Sequence, residues 1–277
     1  MSNQKSSDYD PHQVEVRHAA TVLLVDDRPD LHVLMVHRTA KVVFAPDSWV
    51  FPGGKVDPTD HLEDFDTVCS GLSDLEASQI LDLEQGGLAW WIAACRETLE
   101  EAGLLLATEP LAPEIVSGLR RRVEEDESIF PDLLVEHGIQ LDVTNIEEIA
   151  RFITPFGPPR RFDARFMVAL TPPDQEPSHD SGEIVNWQWV KPQDALDQWS
   201  AGEMNMMSPT VRMVACLSRF DTAEEVMQVA RQRLPYQRVR VDDPEGAYRV
   251  LLPGEPGYET ADLEVESGWV RLWQPPT

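Results

Sequence analysis

The most informative stretch of this sequence is residues 96–104, RETLEEAGL. On a helical wheel the residues from 87 to 102 place Glu97, Glu100 and Glu101 on one face, at positions i, i+3 and i+4. The opposite face is an apolar stripe that consists of Leu88, Trp91, Ile92, Cys95, Leu99 and Ala102. Gly103 is a natural C-terminal cap. The sequence therefore predicts an amphipathic helix over residues 87–102 that carries three carboxylates on its polar face.

Three glutamates on one helical face have two interpretations. A solvated face tolerates them, because each like-charged pair at this spacing costs only a few tenths of a kcal/mol. Clustered carboxylate oxygens are also the ligands that Mg²⁺ and Mn²⁺ prefer. Two neighbouring features favour a metal site: the pair Gly53 and Gly54 permits close backbone approach and can offer a carbonyl, and Arg96 stands next to Glu97.

The remaining pattern alternates strand-like and helix-like segments along the whole chain. Strands are predicted at 18–25, 31–37, 49–51, 165–170 and 184–190, and helices at 74–84, 192–202, 209–219 and 222–233. Residues 111–153 have a helical pattern throughout. The expected organisation is an irregular N-terminus over 1–15, one domain over 16–235 with insertions at about 61–86 and 111–153, and a C-terminal β extension over 236–277.

The overall charge excludes several classes of partner. There are 49 Asp and Glu against 23 Lys and Arg, a formal net charge of −26, which repels nucleic-acid backbones and anionic membrane surfaces. The three cysteines show neither a CxxC pair nor a Cys/His spacing, so neither a disulfide framework nor a structural zinc site is expected. With no apolar leader and no run of apolar residues long enough to span a bilayer, we expect a cytoplasmic protein with no membrane partner.

The segment 96–104 matches the second half of the Nudix box, REUxEExGU, and the FPGG sequence at 51–54 resembles the opening of that box. The box differs in two ways: Asp60 stands where a Glu is usual, and residues 61–95 separate it from Arg96 where seven residues are usual. Such an interrupted box resembles the peroxisomal coenzyme A diphosphatase-like branch of the Nudix hydrolase superfamily. Residues 154–166 and 251–255 also resemble stretches of that branch.

This resemblance implies a fold and a metal site. The fold would be the Nudix α/β/α sandwich, with a mixed β-sheet, a helical insertion and a C-terminal extension. The cofactor would be Mg²⁺ or Mn²⁺, held by Glu97, Glu100, Glu101 and the carbonyl of Gly53. Arg96 would orient Glu97, so that Arg96, Glu97 and Glu100 form part of the catalytic machinery.

The resemblance also implies a carboxylate from a later loop that serves as general base or further ligand. Glu183 is the best-placed candidate, although a solvated loop glutamate is an equally good interpretation, and the neighbouring His179 and Asp180 remain alternatives. Asp60 is a weaker candidate, since the insertion can carry it away from the helix.

Arginines are the candidates for substrate phosphates. Arg38 matches one basic position of a motif of other coenzyme A Nudix enzymes, but Val43 and Asp47 depart from that motif. Guanidinium groups bind phosphate bidentately, which makes a second set of candidates from Arg160, Arg161 and Arg165. The same segment can instead be an edge strand that neutralises nearby acids.

The expected activity is metal-dependent hydrolysis of a nucleoside diphosphate linked to another moiety. The first expectation for the substrate is coenzyme A or an acyl derivative, cleaved to 4′-phosphopantetheine and 3′,5′-ADP. The alternatives are a diphosphatase for ADP-ribose, a nucleotide sugar or another nucleotide, and a catalytically silent Nudix regulator that binds a nucleotide. The partner is then a small-molecule nucleotide diphosphate. A homodimer is a further expectation from the family, although no self-complementary surface can be identified in the sequence.

Overall fold

The computed structural model describes residues 11–42, 45–61, 67–178, 182–242, 249–261 and 267–272. The strands are β1 (Val16–Asp27), β2 (Leu31–Arg38), β3 (Trp49–Val50), β4 (Gly53–Lys55), β5 (Cys69–Ser70), β6 (Leu141–Asp142), β7 (Ile146–Ile153), β8 (Arg161–Leu170), β9 (Ile184–Val190), β10 (Gln237–Arg238), β11 (Arg240–Asp242), β12 (Arg249–Leu251) and β13 (Ser267–Val270). The helices are α1 (Asp74–Leu81), α2 (Leu88–Ala102), α3 (Pro113–Glu125), α4 (Phe130–His137), α5 (Pro192–Ser200), α6 (Ser208–Leu217) and α7 (Ala223–Ala230).

A central sheet organises the described part of the chain. Its strands follow the order β10-β13-β7-β8-β1-β2-β3, with β4 paired to β1 and β9 paired to β2. Strands β1 and β8 run parallel over ten residue pairs, whereas the neighbouring pairs β1·β2, β7·β8 and β2·β9 are antiparallel. The sheet is therefore mixed, as the resemblance implied.

Both faces of the sheet are covered by helices, because successive side chains of a strand point to opposite faces. On β1, Ala20, Val22 and Leu24 pack into a core with helices α1 to α4. The alternate residues Leu23 and Val25 pack into a second core with helices α5 to α7. Two helical layers enclose one sheet, which confirms the predicted α/β/α sandwich.

Most predicted elements are present, including the helix that carries the glutamates. Helix α2 begins after Gly87 and ends at Gly103, whose φ of 67° is the left-handed conformation that glycine adopts without strain. The three cysteines are free and buried, in agreement with the absence of a disulfide framework. Within the described residues, no helix has the length and apolar character needed to cross a membrane.

The prediction of helix through 111–153 is wrong after residue 137, because β6 and β7 follow. In β7 the apolar residues Ile146, Ile149 and Phe152 recur every three positions, which resembles a helical period. The strand nevertheless places Ile146 in the core with helices α1 to α4, and Ile149 and Phe152 in the core with helices α5 to α7. A β-bulge between Glu148 and Ala150 puts Ile149 and Ala150 in the same core. The two glutamates of β7 are buried beside arginines, so their charge gave a misleading signal of an exposed face.

The chain ends partly outside the described residues. Residues 1–10 of the predicted irregular N-terminus are among those not described, and Pro11–Gln13 form one short 3₁₀ turn. From the predicted β extension, β10 and β13 join the central sheet beside β7, while β11 and β12 form a separate two-stranded sheet. The bounds of the predicted domain and extension remain predictions.

Candidate active site

Helix α2 is held in one rotation about its axis by contacts at its buried face. Trp91 is fully buried and its indole Nε1 donates to the carbonyl of Ile146 in β7, at 2.9 Å. At the start of the helix, the amide of Gly87 donates to the hydroxyl of Ser78 in α1, at 2.9 Å. These anchors turn the glutamate face of the helix toward the strand β4.

Strand β4 contains the two glycines of the FPGG segment, and both approach the helix closely. The amide of Gly53 donates to Glu101 Oε2 at 3.0 Å. A Cβ on Gly54 would lie only 2.4 Å from Glu97 Oε1, so the glycine leaves the space that this carboxylate occupies. The two glycines lie on a strand that pairs with β1, and the absence of side chains lets this strand lie against the carboxylates, as the predicted close backbone approach requires.

Arg96 binds the acidic groups on either side of it. Its Nη1 donates to Glu97 Oε1 at 2.9 Å and to Glu100 Oε1 at 2.8 Å. Its Nε and Nη2 donate to the two carboxylate oxygens of Asp60, at 3.1 and 3.0 Å, and Nη2 also reaches the carbonyl of Lys55. The arginine is completely buried, and the insertion does not carry Asp60 away from the helix, contrary to the expectation from its length.

Arg38 connects the third glutamate of the helix to the predicted loop carboxylate. Its Nη1 donates to Glu101 Oε1 at 3.0 Å, and its Nη2 donates to Glu183 Oε2 at 2.8 Å. Glu183 is two-thirds exposed and therefore reachable by solvent water. The alternative candidates His179 and Asp180 lie outside the described residues.

Burial strongly disfavours the charged forms of these glutamates. It raises the pKa of Glu97 to about 8, an effect that Arg96 opposes and the charges of Glu101 and Glu100 strengthen. Burial likewise raises the pKa of Glu101 to about 7, against the attraction of Arg38. It also raises the pKa of Glu100, with Arg96 again opposing. The site thus holds more carboxylate groups than its arginines can neutralise.

This excess of carboxylates is the chemistry that a divalent cation requires, because Mg²⁺ and Mn²⁺ take hard oxygen ligands. Within the described residues, no three His, Cys, Asp or Glu side chains already form a preassembled cation site. Such a site is not preassembled because Arg96 binds Glu97 and Glu100, and Arg38 binds Glu101. The donor set fits a cation by its chemistry and requires some of these arginine bonds to exchange.

The glutamates lie at one end of a cleft of about 790 Å³. Apolar side chains line much of the rest of the cleft, among them Phe152, Phe162, Phe166 and Met207. The cations that line it are Arg17, Arg38, Lys55, Arg120 and Arg160. The cleft can therefore accommodate an elongated molecule with both anionic and apolar parts.

The structure does not bring the three arginines of the segment 160–165 together. Arg160 lines the cleft. Arg161 donates through Nε to the carbonyl of Thr154 at 3.2 Å. Arg165 is 4% exposed and lies on the face of β8 that points away from the cleft. There it donates to the carbonyl of Leu81 and lies 3.6 Å from Glu148. Strand alternation separates them, so Arg161 and Arg165 are not part of the cleft wall.

Two cleft residues from the helical insertion were missed in the sequence. Glu127 accepts from Lys55 Nζ at 2.7 Å and lies 3.6 Å from Arg96 Nη1. Arg120 donates to the carbonyl of Glu100 at 2.7 Å and to the carbonyl of Ser178 at 2.9 Å. The helical spacing of Arg120 with the apolar side chains of α3 could have revealed that it faces inward.

The arrangement of a glutamate-bearing helix, a glycine strand and an orienting arginine on this sandwich defines the class of Nudix-type hydrolases. The sequence model of the family described as the NUDT19 Nudix domain matches residues 75–217 of this chain. The chain belongs to the Nudix hydrolase family, in its NUDT19-like branch. The resemblance seen in the interrupted box is confirmed.

Individual relatives agree with this assignment. A Caenorhabditis elegans protein named as a nudix hydrolase is 30% identical over 229 residues, which cover 79% of this chain and 67% of that protein. The acyl-coenzyme A diphosphatase NUDT19 of Gallus gallus is 25% identical over 304 residues, covering 87% and 79%. The crystal structure of a NUDIX hydrolase from Alicyclobacillus acidocaldarius superposes with a TM-score of 0.64 at 27% identity, covering 78% and 97%.

Proposed function

We propose that this Nudix hydrolase cleaves the diphosphate of coenzyme A or acyl-coenzyme A, giving 4′-phosphopantetheine, or its acyl form, and 3′,5′-ADP. The observation that carries the proposal is the convergence of Glu97, Glu100 and Glu101 at one end of the cleft. The relatives named as acyl-coenzyme A diphosphatases supply the substrate class.

Nudix hydrolases use divalent metal ions, and we propose Mg²⁺ or Mn²⁺ for this one. The proposed ligands are Glu97, Glu100, Glu101 and the carbonyl of Gly53. A cation bound there would neutralise the diphosphate and make its phosphorus more electrophilic. Support comes from the clustering of buried carboxylates: burial raises the pKa values of Glu97 and Glu101, and a cation bound beside them would favour their charged forms.

Side chains around the glutamates have separate proposed roles. Arg96 holds Glu97 and Glu100 in fixed positions through its Nη1. Glu183, which is exposed at the mouth of the site, would accept the proton of the attacking water. Arg38 positions Glu183 beside Glu101, and its guanidinium can transfer to a substrate phosphate when the diphosphate enters.

The cleft suits the proposed substrate in its other parts as well. Its apolar wall, which includes Phe152, Phe162 and Phe166, offers a surface for the pantetheine arm or an acyl chain. Arg160 is the one member of the predicted arginine set that lines the cleft and stays a proposed phosphate ligand. A cytoplasmic location and a homodimer stay proposals that rest on the sequence and on the family.

The experiment that tests the proposal measures products by mass spectrometry with Mg²⁺ and with Mn²⁺. The panel contains coenzyme A, acetyl-coenzyme A, ADP-ribose, NADH and diadenosine polyphosphates. We expect 3′,5′-ADP from the first two. Glu97→Gln should lower kcat/KM roughly 100-fold or more with the fold intact, because a metal ligand is lost. The matched control is Glu84→Gln, an exposed glutamate outside the cleft.

An unchanged rate for Glu97→Gln would reject the proposed site. Hydrolysis of ADP-ribose or NADH without hydrolysis of either coenzyme would retain the site and reject the substrate. Binding of coenzyme A without any turnover, with both metals, would indicate a silent regulator.

A further inference from the structure

The cations that line the cleft differ in their charge partners. Arg38 is paired with Glu101 and Glu183, and Lys55 is paired with Asp57 and Glu127. Arg120 is paired with Glu124 at 2.6 Å.

Arg17 and Arg160 also line the cleft, but neither pairs with a carboxylate among the described residues. The chain has 49 acidic residues and 23 basic ones, so an arginine without a carboxylate partner is unexpected. Two exposed guanidiniums without carboxylates repel each other weakly and are available to an anion from solution.

The two arginines lie at the same end of the cleft. Arg17 pairs in register with Phe162, and Arg160 lies two residues before Phe162 on the neighbouring chain segment. Arg160 lies in a bend just before β8. A strand spacing of about 4.8 Å and a two-residue offset of at most about 6.6 Å therefore keep their Cα atoms within roughly 11 Å. Arginine side chains that start at this separation can bind one anion together.

This end of the cleft is remote from the glutamates. Arg17 and Thr21 are on the same face of β1, and Thr21 pairs with Gly53, whose amide binds Glu101. Four residues of extended strand correspond to about 13 Å. An anion held by Arg17 and Arg160 is therefore a different group from the diphosphate at the glutamates, but a single nucleotide can reach both.

We propose that Arg17 and Arg160 form a second anion site, which binds a phosphomonoester that the substrate carries away from its scissile diphosphate. The inference rests on the proposed function, and in coenzyme A this group is the phosphate on the ribose 3′ oxygen. Guanidinium groups recognise such a dianion through paired, charge-assisted hydrogen bonds. The two positive charges also attract anionic substrates to a cleft whose protein is otherwise strongly negative.

The consequence is selectivity for a nucleotide with a 3′-phosphate. Wild-type protein should hydrolyse coenzyme A with a kcat/KM about ten-fold or more above that for 3′-dephospho-coenzyme A. The product 3′,5′-ADP should likewise inhibit more strongly than 5′-AMP. The effect should lie mainly in KM, because the remote phosphate is bound equally in the ground state and the transition state.

The test compares both coenzymes with wild type, Arg17→Gln, Arg160→Gln and the double variant. Each single variant should lower kcat/KM for coenzyme A by roughly three- to ten-fold and leave 3′-dephospho-coenzyme A nearly unchanged. The double variant should hydrolyse the two at similar rates. Arg121→Gln is the matched control, because Arg121 is exposed on α3 and does not line the cleft.

Equal hydrolysis of the two coenzymes by wild-type protein, or equal losses on both in the variants, would overturn this inference alone. Hydrolysis of neither coenzyme would overturn the proposed function and the second anion site with it. Because both arginines are exposed, the variants should fold normally, which circular dichroism and a melting curve can verify.

Discussion

Asp60 and Arg96 form a bidentate ion pair, with Nε 3.1 Å from Oδ1 and Nη2 3.0 Å from Oδ2. Both side chains are almost completely buried, although residues 61–95 separate them in the sequence. The insertion therefore leaves the site after Asp60 and returns to it before Arg96. Arg96 in turn binds Glu97 and Glu100, so Asp60 affects the glutamate face of α2 through Arg96.

Asp60→Asn should destabilise the protein by about 3 kcal/mol, because it leaves the buried Arg96 without its bidentate partner. Urea unfolding followed by circular dichroism measures the change. Asp132→Asn, at an exposed position on α4, should change the free energy of unfolding by less than about 0.5 kcal/mol. Equal stability of the two variants would show that the pair contributes little to the fold.

The two glycines of β4 should respond differently to alanine. A Cβ on Gly53 would lie 2.5 Å from the carbonyl oxygen of Ala20, so Gly53→Ala should separate paired strands and cost about 2 kcal/mol or more. The three atoms nearest to a Cβ on Gly54 all belong to the carboxylate of Glu97, the end of a flexible side chain. Gly54→Ala should therefore lower kcat roughly 100-fold with little loss of stability.

The control for both is Gly118→Ala in α3, where an added Cβ meets nothing within 4 Å. A helical position with free space should be stabilised by about 0.5–1 kcal/mol. If Gly54→Ala retained full activity, the closeness of Gly54 to Glu97 would have no catalytic importance.

The stability of the metal-free protein should decrease as the pH rises. Folding raises the pKa of Glu97 from 4.5 to about 8 and that of Glu101 to about 7, mainly through burial. Groups with a raised folded pKa contribute stability that is fully present below the unfolded value of 4.5 and is lost as the pH rises through 7 to 8. Melting temperatures in EDTA between pH 6 and 8.5 should show this fall.

Added Mg²⁺ should stabilise the protein more at pH 8.5 than at pH 6, since binding requires the charged carboxylates. The Glu97→Gln/Glu101→Gln variant should lose most of both effects. A Mg²⁺ effect on the melting temperature that is independent of pH in wild type would contradict this prediction.

Arg120 should be necessary for the geometry of the site although it belongs to the insertion. Arg120→Ala removes the part-buried bonds to the carbonyls of Glu100 and Ser178, and should cost about 1 kcal/mol because both carbonyls lose a charged donor. Glu100 and the cleft wall should lose the support of Arg120, so kcat should fall roughly ten-fold. Arg121→Ala, next to it and exposed, should alter neither quantity, and urea unfolding with steady-state kinetics measures both.

Local periodicity predicted the elements that depend on nearby residues. The apolar stripe, the three glutamates and the final glycine of α2 all follow from contacts between residues three and four apart, so the helix and its carboxylate face were evident without a structure. The strands β1, β2 and β9 were evident from the same kind of local pattern. The exception was β7, where apolar residues at every third position made a strand resemble a helix.

The sequence by itself thus determined the glutamate-bearing helix, the glycine segment beside it and the family. Only the tertiary structure decided that Asp60 stays beside Arg96, that Arg38 joins Glu101 to Glu183, and that Arg160 lines the cleft while Arg165 is buried behind the sheet. Each of these contacts connects distant parts of the chain. They depend on strand register and on the route of the insertions, and these are set by burial of the two cores and have no local signature.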